Sequence, residues 1–106
     1  NVVKTFLSTT IKGMKEMIAD PASTIPYVLK YNKIAKAKTE TTRLKMAIRD
    51  NIVTDAVKAN GLGSVDMNRL NESIKQLSET YSFKTKMDGS KVFDDNYLPD
   101  SFKRKL

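Results

Sequence analysis

The chain has 106 residues, with 19 Lys and Arg against 12 Asp and Glu, a formal net charge of +7. Hydrophobic residues make up 40% and charged residues 29%, a balance that suits a globular chain and argues against disorder. Cysteine and histidine are both absent, which excludes disulfides, thiolate and imidazole metal sites, cysteine nucleophiles and histidine triads.

A chain this short fits one small domain or part of a larger one. No apolar run approaches the roughly 18 residues that cross a membrane. Three prolines and four glycines leave room for long helices. A surplus of positive charge favours acidic partners: nucleic acid, anionic lipid or an acidic protein face. Solvated lysines are the plainer and preferred reading. The chain opens at Asn1 with no initiator methionine and no leader, so the expectation is a processed or excised segment of a longer protein.

Residues 2–18 carry apolar side chains at Val2, Val3, Phe6, Leu7, Ile11, Met14, Met17 and Ile18. Gaps of three and four are the helical template. Gly13 sits beside this stripe, where a small residue lets another backbone approach. Asp20-Pro21 ends the helix, because the residue before proline avoids the α region. A second helix is expected over 24–32, capped by Thr24, with Pro26 in its first turn and Asn32 as a left-handed terminator. Ile25, Val28 and Leu29 form its inward face.

A loop to about Ala37 leads to a third helix over 38–53, with Thr41, Leu44, Ala47, Ile48, Asn51 and Ile52 inward. Thr54 caps a single turn over 55–59, closed by Asn60-Gly61 in a left-handed conformation. Gly63 and Ser64 continue the corner. Asp66 caps the last long helix, 67–80, whose Met67, Leu70, Ile74, Leu77 and Tyr81 make a narrow seam. Residues 82–106 read as an irregular tail lying across the helices, pinned by Val92, Phe93, Tyr97 and Leu98, with a frayed FKRKL end.

No catalytic constellation is present. Asp94-Asp95 is the only adjacent carboxylate pair, and adjacent residues in extended chain point apart. Gly61-Leu62-Gly63 lacks the preceding strand that a phosphate loop needs. Lys30, Lys33, Lys36, Lys38, Arg43, Lys45 and Arg49 form a basic run broken only by Glu40. Spread over a loop and a helix, they make no single stripe, and Tyr27 and Tyr31 are too sparse for a base-stacking platform. Nucleic acid is therefore not the expected partner. Met14, Met17 and Met67 fall on apolar stripes and read as core filler rather than as an adaptable surface. The stripe on 2–18 is wider than the later segments can cover, so it is expected to pack on surface outside this chain or on a second copy.

Four stretches taken together resemble a known family: VVKTFLSTTIKGMKEMIADP (2–21), YVLKYN (27–32), DNIVTDAVKANGLGSVDMNRLNESIKQL (50–77) and VFDDNYLP (92–99). They are similar to the carboxy-terminal part of substrate-binding proteins of ABC importers, of the type that handles nitrate, sulfonates, taurine and thiamine-pyrimidine precursors. That family shows a V-x-x-F-L-x-x-T-x-K-G helix, a proline-started helix ending L-L-K-Y-N, a T-x-x-V-K-x-x-G-x-G-x-V-D corner, an R-L-x-x-S-I-x-Q-L helix and a closing V-F-D-x-x-F-L-P. Departures are Pro26 inside the second helix, Tyr97 in place of phenylalanine, and the basic end.

The resemblance implies a parent with a two-lobed α/β periplasmic-binding-protein fold, in which this segment packs against the sheet of the first lobe. It implies a periplasmic or membrane-anchored extracellular location, an importer permease as partner, and a small-molecule ligand held mostly by earlier residues. No ligand-binding residue is carried over, and no cofactor or metal is expected. The expectation for the chain itself is an all-α, non-catalytic single segment over 1–106: four main helices, one short helical turn, and the tail. Self-association through the apolar face of the first helix is expected. The rival reading is a free-standing basic helical module that binds nucleic acid or protein.

Overall fold

The computed structural model describes all residues, 1–106, and contains helices and no strand. In order these are α1 (Val2–Ala19), α2 (Pro21–Tyr31), α3 (Ala37–Ala47), a π turn (Ile48–Ile52), α4 (Asp55–Asn60), α5 (Met67–Thr80), α6 (Gly89–Val92) and α7 (Ser101–Arg104). The chain is thus all-α, as the periodicities predict.

Helix α1 starts where Asn1 Oδ1 accepts a bond from Val3 N at 3.0 Å, a side-chain cap for one of the free N–H groups. Thr10, the polar residue inside the apolar stripe, donates its hydroxyl to Phe6 O at 2.9 Å. It thereby presents its methyl outward without an unpaired polar group. Asp20 then serves two helices. Its N–H donates to Glu16 O, closing α1. Its carboxylate accepts from Ser23 N at 3.3 Å, opening α2. A single residue therefore separates the two helices.

Here the structure corrects the sequence reading of α2. The helix begins at Pro21, three residues before the expected start, because Asp20 caps it and Pro21 fills the first position, where a missing N–H costs nothing. Thr24 is no cap; its hydroxyl donates to Pro21 O at 2.8 Å. Pro26 consequently lies inside the helix. Asn32 is extended (φ −123°), and no residue other than glycine has positive φ.

The third helical stretch covers nearly the expected residues, but only Ala37–Ala47 of it is α. After Ala47 the backbone widens into the π turn, with Val53 N donating to Ile48 O at 2.8 Å. The β-branched Ile48, Ile52 and Val53 and the poor helix former Asn51 crowd this end. Thr54 and Asp66 cap α4 and α5 as expected: Thr54 Oγ1 accepts from Val57 N at 3.3 Å, and Asp66 Oδ1 from Asn68 N at 2.9 Å.

Packing is sparse. Helix α2 lies against both α1 and α3, and α5 lies against α6. Only Ile11, Ile25 and Leu62 are buried hydrophobics. The accessible surface is 8439 Å², where a compact monomer of this mass exposes about 6,000 Å². The Cα radius of gyration is 17.1 Å, against about 13 Å for a compact chain of similar length. The helices form an open layer with one side left in water.

Gly13 belongs to the open side. A Cβ built on it would meet nothing within 4 Å. In the 106-residue chain, Gly13→Ala should therefore raise stability by roughly 0.5–1 kcal/mol through helix propensity, read as a higher urea midpoint. A loss of stability would show that another backbone already fills that space.

Candidate functional site

The best-defined tertiary arrangement is the corner after α4. Gly61 has φ 85° and ψ 165°, a region that only glycine enters easily. A Cβ there would also lie 2.9 Å from Arg104 Cβ and 3.0 Å from its carbonyl carbon. The corner is tight because α7 is seated on it. Leu62 N donates to Arg104 O at 2.9 Å. The Arg104 guanidinium donates to Leu62 O at 2.7 Å, Ser64 Oγ at 2.9 Å and Pro99 O at 2.7 Å. A planar, multi-donor cation suits this role, since one side chain satisfies three acceptors on two segments. Leu98 packs against Gly63, with Cδ2 3.3 Å from the position of a Gly63 Cβ.

A second tie joins α6 to α5. Gly89 N donates to Asn71 Oδ1 at 2.7 Å. A Cβ on Gly89 would press on Asn71, Met67 and Leu70 within 3.2 Å. Asp88 caps α6 by accepting from Ser90 N at 2.9 Å. Bonds from the Ser90 hydroxyl and backbone hold the Asp88 carboxyl below its ordinary 3.8.

These ties correct the reading of the tail. It contains two short helices, and its basic end is a latch instead of a frayed end. Phe93 and Leu98 are half-buried as pins should be. Val92 and Tyr97 are exposed. Periodicity could not have found Arg104. The available signal was the Gly61/Gly63 pair, which marks a place where another segment approaches closely.

Between the corner and α7 lies an open cleft of about 500 Å³, with Asn60, Ser64, Asp66, Arg69, Arg104 and Lys105 among its walls. Asp66 is committed to capping α5 and Arg104 to carbonyls, so neither is poised to act on a substrate. Of the carboxylate pair in the tail, Asp94 is spent on a local turn, its Oδ1 accepting from Asn96 N at 3.0 Å. Asp95 contributes its backbone carbonyl to the next turn, accepting from Leu98 N at 2.9 Å, and its side chain faces water. Nowhere do three acidic side chains converge in a way that could hold a metal ion. On the π turn, Arg49 grips the Asp50 carboxylate with two bonds. They raise the arginine above and lower the aspartate below their ordinary values.

Two apolar faces are left uncovered. On α1, Val2 is 85% exposed and Phe6 68%, with Val3 also open. Leu7, Met14, Met17 and Ile18 are half-covered, and only Ile11 is sealed. On α5, Leu70, beside Gly89 of the tail, and Ile74 are half-covered, but Leu77 and Tyr81 are exposed, as is Phe83. The Tyr81 and Phe83 rings stack on each other at 6.5 Å. The basic run is exposed from Lys30 through Arg49, with Arg43 paired to Glu40 at 3.1 Å and Arg49 paired to Asp50.

Comparison with family models, with curated proteins and with solved structures finds no match to this chain.

Two outcomes follow from the ties. Arg104→Ala removes three hydrogen bonds from a charged donor and should open the tail at a cost of about 2 kcal/mol, read as faster amide exchange at Leu62 with the helicity of α1–α3 unchanged. Arg104→Lys cannot reach all three acceptors and should recover only part of the protection. The second outcome concerns pH. Asp88 is depressed in the folded state, so its capping contribution is complete above 3.8 and is lost as pH falls through the lower folded value. Protection at Ser90, whose N–H the Asp88 carboxylate accepts, should fall with acid in that window, and Asp88→Asn should abolish that dependence.

Proposed function

We propose that this chain is the helical C-terminal portion of an ABC-importer substrate-binding protein, of the nitrate, sulfonate and thiamine-precursor type. Its role is to back the lobe that captures a small molecule; it is non-catalytic, and the ligand is held by residues outside it. In this reading the protein acts outside the cytoplasm and delivers its ligand to a permease. The single observation that carries the reading is the open apolar face of α1. A helix shaped to lie on a sheet would present Val2, Val3 and Phe6 to water when the sheet is absent, as here. The four quoted stretches supply the family, and the excess accessible surface is of the size that a packed lobe would cover. Where that lobe is missing, a second copy is the substitute cover, because identical open faces can stack or exchange.

A second reading is favoured by the net charge of +7 and the exposed basic run: a free-standing helical module that binds nucleic acid or protein. The two are separated by a gel shift with duplex DNA across a salt series. The importer reading expects no specific shift, whereas tight binding whose affinity falls steeply with salt favours the module. The importer reading is tested directly by the coding sequence adjoining this chain. It expects roughly 200 further residues bearing strands, enough for the missing lobes, behind a secretory or lipoprotein leader. An open reading frame confined to these residues would contradict it.

A further inference from the structure

From Pro21 to Thr39 the chain carries four lysines, Lys30, Lys33, Lys36 and Lys38, and no acidic residue. The same segment holds the most exposed large side chains away from α1. Tyr27 is 71% exposed, Tyr31 85% and Ile34 91%. Ile25 is buried and fixes how α2 sits. At 100° per residue, Tyr27 and Tyr31 then fall on the side away from the core, one turn apart. Lys30 lies on that side too, its Nζ 5.9 Å from the Tyr31 ring.

The helix stops at Tyr31, and Ala35 N donates to Asn32 O at 3.3 Å, closing a turn over Lys33 and Ile34. Ile34 therefore stands at the tip of the turn. Helix α3 starts at once, with Lys36 as its N-cap residue and no side chain accepting from its first N–H groups. Lys36 and Lys38 thus sit at the positive end of the helix dipole, where a cation is disfavoured. The nearest acid, Glu40, is already held by Arg43 at 3.1 Å.

Little of this helps the chain in water. Lys30 suits the last turn of α2, but Lys36 and Lys38 crowd the positive end of α3, and an isoleucine projects into solvent among the four like charges. All of it becomes favourable against a surface that is anionic at its face and apolar just beneath. We propose that the α2–α3 turn is an anchor for an anionic lipid bilayer. Ile34 and Tyr31 enter the boundary between headgroups and acyl chains, Tyr27 lies at headgroup depth, and the four lysines rest against lipid phosphates. Lipid fits better than nucleic acid because a phosphate backbone gives Ile34 nothing to contact. Two tyrosines on a convex helix also make no groove in which bases could stack. The inference is independent of the importer reading and stands or falls separately from it.

The test uses the full chain and vesicles of phosphatidylcholine with about one-third phosphatidylglycerol, read by co-sedimentation. Binding is expected to these vesicles, to be weakened by salt, and to be absent with pure phosphatidylcholine. Lys33→Gln with Lys36→Gln should lower the partition coefficient about 25-fold, at about fivefold for each lysine near an anionic surface. Ile34→Ser should lower it about tenfold. Neutralising Lys84 and Lys86, beyond α5, should change it less than about twofold. These positions are exposed, and helical circular dichroism confirms that each variant folds. The Tyr31→Trp variant adds a second readout: its emission should shift to the blue on the anionic vesicles and stay put with heparin, a soluble polyanion. Equal binding to neutral vesicles, indifference to the Ile34 and lysine changes, or salt-steep binding of duplex DNA without vesicle binding would each overturn the proposal.

Discussion

Apolar surface taken out of water is what holds helices together, and this chain seals only Ile11, Ile25 and Leu62. Those three mark its two packed regions. Ile25 lies between α2 and α3, while Ile11 lies beside Pro99 and Lys103 of the tail and Leu62 sits at the corner under α7. Between and beyond them the apolar seams continue without cover, along the first half of α1 and the second half of α5. The result is an open layer whose surface and girth exceed those of a compact domain of equal mass. Each later feature, from the polar ties to the proposed role, is a response to that shortage of burial.

Polar contacts supply the order that burial does not. Arg104 joins α7 to the corner, and Asn71 joins α6 to α5. Both ties meet a glycine, Gly61 and Gly89, at distances that a Cβ would forbid. A tail with few buried side chains is thereby given one register. The remaining charges pair locally or face water, and none lies in a converging set of the kind that performs acid–base chemistry. What the molecule offers to a partner is surface: an apolar face on α1, and a basic turn with an apolar tip between α2 and α3.

Much of this was readable in the sequence. Local signals were sufficient where one residue decides one boundary: Asp66 before α5, Thr54 before α4, and glycines at the corner. They failed where two local signals competed. Asp20-Pro21 both ends α1 and begins α2, so Thr24, a good cap in isolation, was never needed. The π turn after Ala47 has no periodic signature, because Ile48 and Ile52 fit an ordinary helix equally well. Arg104 was invisible because the bond that ties it to the corner goes to a backbone carbonyl, Leu62 O, 42 residues away, and no side-chain pattern announces a carbonyl. The open face of α1, by contrast, was anticipated from stripe width alone, and Val2, Val3 and Phe6 stand exposed on it.

The central claim is that the cover for this apolar surface lies outside the 106 residues. Its most direct test is urea unfolding of the isolated chain, followed by circular dichroism across a hundredfold range of protein concentration. If the cover is external, dilute chain should unfold in a broad transition with a slope well under about 1 kcal/mol/M, and any sharpening should appear only as concentration rises and copies associate. A steep transition at micromolar concentration, with a slope normal for this length and a midpoint independent of concentration, would show that the chain buries a full core alone.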